Sequence, residues 1–431
     1  RFVLPCIGTM LFTSIYGIVD GLCVSNFVGK TAFAAVNLIM PLPMLLGTIG
    51  FMLGTGGSAI VGITLGEGDQ KKADRYFTLF LLAALVSVSV LAVLGIVFLR
   101  PIAVLLGAKG ELLDYAVRYG RILMVSLPTF ALQNMFQSFF VTAEKPHLGF
   151  WFTVGAGCTN MVLDVLMVGV WGWGVEGAAI ATFISQLVGG VLPVFYFIDR
   201  SNSSRLHLCK TSFYSKVLRD ACINGSSELM TNLSMSLVNI LYNYQLLRLA
   251  GENGVAAYGV IMYAAFLFVA VFVGYAVGSA PIVSFHYGAR NHAEVHNLYR
   301  KSLRLIAVVA VTLTLASMFI IPCVARIFVG YDAELLALTS RAFRLYALSF
   351  LIMGFNVYAS SFFTALGDGV TSALISFLRT LAFQVIAILL LPLLLGIDGI
   401  WLAVTAAELA ALAVSAAMLL TKDKVFHYRK A

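Results

Sequence analysis

The chain alternates long apolar stretches with short polar breaks over nearly its whole length. Twelve stretches reach about 20 residues, the length that an α-helix needs to cross the hydrocarbon core of a bilayer. Polar and apolar residues do not alternate at every second position within these stretches, as they would in the strands of a membrane barrel. The pattern therefore favours helices. We therefore predict an all-α integral membrane protein with twelve transmembrane helices, at roughly 2–24, 34–64, 77–99, 119–142, 148–171, 175–198, 217–249, 257–287, 302–325, 342–364, 370–394 and 397–420.

The composition of the chain also indicates that it is embedded in a lipid bilayer. Of the 431 residues, 60% are hydrophobic and 11% are charged, and the mean hydropathy is +0.95. Such a chain cannot cover a folded surface with polar groups, which excludes a soluble protein. The six cysteines lie mostly inside apolar stretches at no regular spacing, so they indicate neither a disulfide framework nor a metal site.

The basic residues predict the orientation in the membrane. The net charge is +8, and Lys and Arg concentrate in every second loop, above all in the connection around 199–216. By the positive-inside rule both termini then face the cytoplasm. Because topology accounts for the charge, we expect no nucleic-acid partner. The expected location is the inner (cell) membrane of a bacterium or archaeon, with a first span that is not a cleaved signal peptide.

The second half of the chain repeats the first at a constant offset of 222 residues, which aligns Gly66 with Gly288 and Gly174 with Gly396. Each copy holds six spans, an even number, so both copies enter the membrane in the same direction. A pseudo-two-fold axis along the membrane normal should relate them, with a cavity between. The predicted parts are an N-terminal six-helix lobe, a cytoplasmic inter-lobe linker, a C-terminal six-helix lobe and a cytoplasmic tail, at 1–199, 200–216, 217–421 and 422–431.

Two aspartates, Asp20 and Asp164, lie inside apolar stretches, where an unpaired carboxylate is costly and therefore usually functional. Counted along their helices, Asp20, Asp164 and Thr182 reach a similar depth, and Asn160 shares a helix face with Asp164. Two carboxylates, an amide oxygen and a hydroxyl form a set of hard ligands that suits Na⁺. Two close carboxylates suit a proton equally well. We predict a Na⁺ or H⁺ site here and no other metal.

The repeat fails at this cluster, since the offset places Tyr242 opposite Asp20 and Ile386 opposite Asp164. The predicted ion site therefore belongs to the first lobe alone. Pro5 lies in the first span, where proline removes a backbone hydrogen bond and can kink a helix. We predict that this kink is a moving part.

The second lobe offers a third acid, Glu228, after a helix-weakening Asn-Gly-Ser-Ser sequence. A substrate or proton role and a local hydrogen bond are equal alternatives for it. Arg379 and Glu408 are expected to form a structural ion pair. Aromatic and methionine side chains are dense in this lobe and suit flat cations, so further candidates for a substrate site are Asn239, Met262, Tyr263 and Asn356.

Several motifs together resemble those of the multidrug and toxic compound extrusion (MATE) transporters, prokaryotic branch, and the similarity covers the whole chain. The motifs are Val19-Asp20-Gly21, Asn26-Phe27-Val28-Gly29, Gly66-Glu67-Gly68-Asp69, Asn160 with Leu163-Asp164, Gly177-Ala178-Ala179-Ile180-Ala181-Thr182 and Gly254-Val255-Ala256-Ala257-Tyr258. The resemblance implies two six-helix bundles in a V, alternating access, a monomer, and export of amphipathic, often cationic compounds driven by Na⁺ or H⁺ entry.

The resemblance also assigns residues. The family's cation or proton site matches Asp20, Asn160, Asp164 and Thr182, and its kinking proline matches Pro5. In some relatives the second lobe carries acids: Glu228 resembles the one in span 7, whereas span 10 offers Asn356 and no acid.

We therefore expect a secondary antiporter without a cofactor. The nearest alternative is a flippase for a lipid-linked oligosaccharide or another polyprenyl precursor, which requires a basic cavity for a pyrophosphate. The spans contain few candidates for that cavity beyond Arg379. An intramembrane enzyme requires acidic or His-Glu-x-x-His motifs, and His292-Ala-Glu-Val-His296 has its glutamate in the wrong place, so we predict no enzymatic activity.

Overall fold

The computed structural model describes residues 2–28, 30–330 and 332–428, without the side chains of residues 18, 20–31, 33–34, 252, 324 and 327–328. Within these ranges the secondary structure is helical and contains no strand. The prediction of an all-α membrane protein is confirmed.

The first half of the chain folds into eight helices. Proline is the first residue of α3 and of α6. The N–H that proline lacks would have no hydrogen-bond partner within the helix at this position, so proline is tolerated there. Asp69 caps α4 by accepting a 3.0 Å hydrogen bond from the backbone N–H of Lys72. The helices are α1 (Val3–Val28), α2 (Lys30–Ile39), α3 (Pro41–Gly66), α4 (Gln70–Leu105), α5 (Glu111–Thr142), α6 (Pro146–Asp164), α7 (Gly174–Gly190) and α8 (Leu192–Ile198).

The second half is also built from helices, and two helical spans join without a loop. These two spans meet at Gly251, whose φ of 60° and ψ of −150° break the helix inside α10. The helices are α9 (Ser215–Asn224), α10 (Ser226–Gly288), α11 (His292–Val329), α12 (Ala333–Ala347), α13 (Phe350–Ala365), α14 (Gly369–Phe377), α15 (Phe383–Leu395), α16 (Ile397–Thr421) and α17 (Asp423–Phe426).

Two short segments have π-helical geometry. The first, Val165–Val170, continues α6, and the second, Leu378–Ala382, joins α14 to α15. They lie in the fifth predicted span of each half, next to Asp164 and around Arg379 respectively. Because π-turns often occur at functional sites, both segments point to the ionisable residues that they adjoin.

Eight helical stretches among the described residues are long and apolar enough to cross a bilayer, and α12 with α13, bent by 46°, makes a ninth. The other three predicted spans coincide with α1, α5 and the first half of α10. In α5 the polar side chains of Gln133 and Asn134 are buried against neighbouring helices. A helix whose polar side chains contact neighbouring helices has a lower mean hydropathy than a helix that faces lipid, and α5 is therefore less apolar than the eight stretches.

The internal repeat is visible in the backbone. Gly68 and Arg290, 222 residues apart, both have positive φ, at 86° and 55°. Gly174 and Gly396 show the same correspondence, at 58° and 60°. The helices that follow Gly68 and Arg290 are also capped alike. Asn291 accepts a 3.1 Å hydrogen bond from the N–H of Glu294, just as Asp69 accepts one from the N–H of Lys72.

The linker between the halves lies along the first lobe. The backbone N–H of His207 donates to the Asp74 carboxylate at 3.0 Å, and that of Cys209 donates to the Thr78 hydroxyl at 3.1 Å. Leu206, just before these two contacts, is fully buried in a cluster with Phe197. The predicted inter-lobe linker is therefore docked on α4 of the first lobe.

Close backbone contacts join the two halves at the end that carries the linker. A Cβ atom on Gly66 of α3 would lie 2.0 Å from the carbonyl oxygen of Phe285 in α10. One on Gly274 would lie 2.6 Å from the Cα of Ile7 in α1. Such approaches require glycine, and they close this end of the molecule.

Candidate functional site

The predicted ion site lies where α1, α6 and α7 pack against one another. Asp164 ends α6 and its side chain is fully buried. Asn160, one turn earlier, is 2% exposed, and its Nδ2 lies 3.5 Å from the hydroxyl oxygen of Thr182 on α7. The structure thus brings Asn160 and Thr182 together across two helices, with Asp164 on the same face of α6.

Two oxygen atoms of this cluster are placed to accept. The Thr182 hydroxyl donates its proton to the Ala178 carbonyl at 3.0 Å, so its lone pairs face Asn160. The Oδ1 atom of Asn160 is buried and receives no hydrogen bond from the described part of the chain. A buried amide oxygen without a donor costs about 1–3 kcal/mol, which a bound cation would recover. The donor set fits a small hard cation.

The side chain of Asp20 lies outside the described residues. Its backbone belongs to α1, which packs against α6 and against the π-helical segment after Asp164. The predicted meeting of Asp20 with Asp164 therefore stays a prediction.

Pro5 lies in the first turn of α1, and the Thr9 hydroxyl donates to its carbonyl at 2.9 Å. Two residues further, Ile7 packs on Gly274 of the other half. This turn therefore lies at a contact between the two halves. A kink at Pro5 that changes with the transport state stays a prediction.

The second lobe contains a buried polar network. The guanidinium Nε of Arg379 lies 2.8 Å from one Glu408 carboxylate oxygen, and the Asn356 amide donates to the other at 2.7 Å. Asn356 also donates to the Glu408 carbonyl at 2.9 Å and accepts from the Ser415 hydroxyl at 2.9 Å. The predicted Arg379–Glu408 ion pair is confirmed. The roles of Asn356 and Ser415 depend on contacts between α13 and α16 that sequence spacing does not reveal.

Glu228 lies in the first turn of α10 and is half-buried. The π-helical segment that carries Arg379 packs against α10. No hydrogen-bond donor within the described ranges reaches the Glu228 carboxylate, whereas both oxygens of Glu408 are engaged. A substrate or proton role for Glu228 stays a prediction.

The remaining second-lobe candidates do not gather around Glu228. Asn239 is exposed, accepts a 3.4 Å hydrogen bond from Asn243, and lies about 16 Å further along α10. Met262 packs against the main core of this half, and Tyr263 is 44% exposed, both beyond the break at Gly251. Asn356 alone joins the polar network.

These features define a polytopic α-helical membrane protein of two similar halves, with a buried polar cluster in each. The MatE family model matches the chain twice, at residues 5–166 and 229–390, and the chain belongs to the MatE family.

Curated relatives cover almost the whole chain. The multidrug export protein MepA of Staphylococcus saprophyticus is 21% identical over 431 residues, which is 99% of this chain and 94% of the relative. MepA of Staphylococcus aureus strain MSSA476 is 21% identical over 427 residues, with the same coverage.

Solved structures share the fold. An outward-facing multidrug resistance MATE family transporter of the MOP superfamily superposes with a TM-score of 0.93 at 23% identity, covering 100% of this chain and 96% of its own. A MOP superfamily transporter from Pyrococcus furiosus, described as having a binding pocket of reverse polarity that suggests a different function, gives 0.91 with the same identity and coverage.

Proposed function

We propose that this protein is a secondary active antiporter, not an enzyme, that exports amphipathic, often cationic, drug-like compounds in exchange for Na⁺ or H⁺. Membership of the MatE family and the names of its MepA relatives support the export of drugs. The observation that carries the proposal of ion coupling is the cluster of the buried Asn160 and Asp164 with the half-buried Thr182.

The residues of this cluster act on an ion in distinct ways. Asp164 supplies the negative charge, and the oxygens of Asn160 and Thr182 replace water around a cation. Because these groups lie on α6 and α7, an ion that they share draws the two helices together. A proton on the carboxylate instead removes the charge without such a bridge. Export follows if the ion and the drug prefer different states of the lobes.

The structure argues against the flippase alternative. A flippase for a pyrophosphate-linked lipid needs positive charge that is available in its cavity. Arg379, the mid-span arginine considered for that role, is neutralised by Glu408 at 2.8 Å. We further propose a monomer in the inner (cell) membrane with both termini in the cytoplasm.

Transport in reconstituted vesicles tests the proposal. Vesicles loaded with a fluorescent organic cation are given a Na⁺ gradient at fixed pH or a pH gradient without Na⁺, and one of the two should drive movement of the dye. Asp164→Asn should abolish that movement. Asp220→Asn, which removes an exposed carboxylate beside Arg219, serves as the matched control and should transport normally. Full transport by Asp164→Asn would contradict the assignment.

A further inference from the structure

The C-terminal tail packs on the second lobe in the way that the linker packs on the first. The repeat offset of 222 residues places Tyr428 opposite Leu206, and both side chains are fully buried. The same offset places His296 of α11 opposite Asp74 of α4. The Nδ1 atom of His296 lies 2.9 Å from the Tyr428 carbonyl oxygen, and the Asp74 carboxylate accepts a 3.0 Å hydrogen bond from the linker. Equivalent segments therefore cover the first turns of α4 and of α11.

In the first lobe this cover continues further along the helix. The backbone N–H of Cys209 donates to the Thr78 hydroxyl at 3.1 Å, and the ring centroids of Tyr214 and Tyr76 lie 5.5 Å apart. As a result, residues 76–81 of α4 are all buried. The linker thus shields nearly two turns of α4 from its surroundings.

The equivalent turns of α11 carry three exposed cations instead, Arg300, Lys301 and Arg304. They lie on one side of the helix, because Arg304 is four residues from Arg300 and three from Lys301. None of the three has an ion-pair or hydrogen-bond partner within the described part of the chain. The residues after the tail contact, Arg429 and Lys430, are basic as well. Since like charges at this spacing repel one another, the three cations favour an anion from outside the chain.

These cations lie at the boundary of the bilayer. The 21 residues between Arg304 and the next charged residue, Arg326, span about 32 Å as a helix, which matches a hydrocarbon core about 30 Å thick. An exposed apolar face continues beyond Arg304 on the same side of α11, so an acyl chain can lie on this face while its headgroup contacts the cations. The face consists of Leu305, Val308, Val311, Leu315 and Phe319.

The first lobe has cations near the start of α4 too, but they lack such a face. Lys71, Lys72 and Arg75 are exposed and lie before the turns that the linker covers. The next exposed side chain of α4 belongs to Leu82, seven residues beyond Arg75 and about 10 Å further along the helix. A lipid headgroup on these cations would have no exposed apolar surface directly beside it.

We propose that Arg300, Lys301 and Arg304 bind the headgroup of an anionic phospholipid whose acyl chains lie along the apolar face of α11. The two guanidinium groups can each donate paired hydrogen bonds to phosphate oxygens, and the lysine adds a point charge. The lipid covers on the second lobe the turns that linker residues 209–214 cover on the first. This site is separate from the proposed ion cluster and does not depend on which compound is transported.

Retention of a fluorescent phosphatidylglycerol by the purified full chain in a nonionic detergent tests the site. Each basic side chain near an anionic lipid contributes about a factor of five to affinity, so phosphatidylglycerol should bind at least about 10-fold more tightly than phosphatidylcholine with the same label and acyl chains. The triple variant Arg300→Gln/Lys301→Gln/Arg304→Gln should lose this preference. Arg300→Lys/Arg304→Lys keeps the charges and should retain most of it.

The repeat supplies the matched control. Lys71→Gln/Lys72→Gln/Arg75→Gln removes the same charge from the same end of the molecule, and the preference should stay within about 2-fold of that of the unsubstituted protein. An equal loss in both triple variants would show that charge attraction without a defined site retains the lipid, and would overturn the inference.

Two further measurements complete the test. Inorganic phosphate, compared with chloride at equal ionic strength, should not displace the lipid because it lacks acyl chains; displacement would mean that the surface binds phosphate alone and would overturn the lipid site. Should the α11 triple variant not fold, Arg304→Gln by itself should weaken binding of phosphatidylglycerol about 5-fold. Unchanged binding by that variant would equally refute the proposal.

Discussion

The side-chain amide of Asn224, at the end of α9, donates a 2.9 Å hydrogen bond to the backbone carbonyl of Thr364 in α13. The same nitrogen lies 3.4 Å from the carbonyl of Gly56 in α3, so one buried side chain connects both halves of the molecule. Each carbonyl belongs to a helix that has to move if the closed end opens.

Replacement of Asn224 by Ala should therefore favour opening at the linker end. The change removes two hydrogen bonds and costs the closed state about 1–2 kcal/mol. Ser284 is fully buried against Gly62 at this end, and a cysteine placed there in a cysteine-free chain should react faster with maleimide in the Asn224→Ala background. Asn297→Ala, which removes an amide bonded only within α11, is the control. Equal labelling rates in both backgrounds would refute this role.

A side chain at Gly66 should prevent closure of the same end. The Cβ of Gly66→Ala would lie 2.0 Å from a backbone oxygen of α10, which no rotamer relieves. We expect transport of a cationic dye to fall at least about 10-fold while the folded protein survives in detergent. Gly259→Ala in α10 meets nothing within 4 Å and should transport normally. Normal transport by both variants would show that this contact is dispensable.

Thr182→Val should weaken the first-lobe ion site without disturbing its packing, because valine keeps the shape of threonine but lacks its oxygen. The ion concentration that supports half-maximal transport should rise about 10-fold. Thr153→Val is the matched control, since the hydroxyl of Thr153 is buried in α6 and donates only to the Gly149 carbonyl. An unchanged ion requirement in Thr182→Val would remove this hydroxyl from the site.

Asp368 gives a stability prediction that depends on pH. Burial raises the pKa of its carboxyl, but hydrogen bonds from Lys422 and Thr371 outweigh this and hold the pKa below its ordinary value. Because the pKa is lower in the folded than in the unfolded protein, the ionised carboxylate stabilises the folded state above about pH 4. This stabilisation is lost as the pH falls through the folded pKa. Asp368 also caps α14, so Asp368→Ala should cost about 1 kcal/mol at pH 7, and this cost should shrink as the pH falls through the folded pKa.

Thermal unfolding of both proteins across this pH range measures the difference. Asp220→Ala, which removes an exposed carboxylate at the same end of the molecule, should show no comparable pH dependence. A Tm difference for Asp368→Ala that does not shrink on acidification would contradict the linkage.

Local sequence patterns were sufficient to predict most helices and the Arg379–Glu408 pair. Lipid selects apolar stretches of fixed length, and two opposite charges in neighbouring spans have few other partners at that depth. The same reasoning read Asn224 and Gly225 only as helix-weakening residues. Their contacts with Gly56 and Met52 join segments far apart in the chain, and no spacing rule reveals such a meeting.

In the first-lobe cluster, too, sequence patterns predicted some features, whereas others depend on contacts between distant segments. The four-residue spacing of Asn160 and Asp164 fixed their common face, and the approach of Thr182 agrees with the depth estimate. The π-helical turn after Asp164 had no sequence signal, because its geometry depends on how α1 and α7 pack around it.

The docking of the linker implies that the two halves are less dependent on their covalent connection than a single chain suggests. Residues up to Thr211 are bonded to α4, α9 starts at Ser215, and Phe213 between them is 75% exposed. A gene divided at this point would yield two polypeptides, each retaining its own buried cluster, whose assembly would rest on the glycine contacts and on Asn224. If co-expressed fragments recover transport, the covalent connection at this junction is not required for assembly or for function.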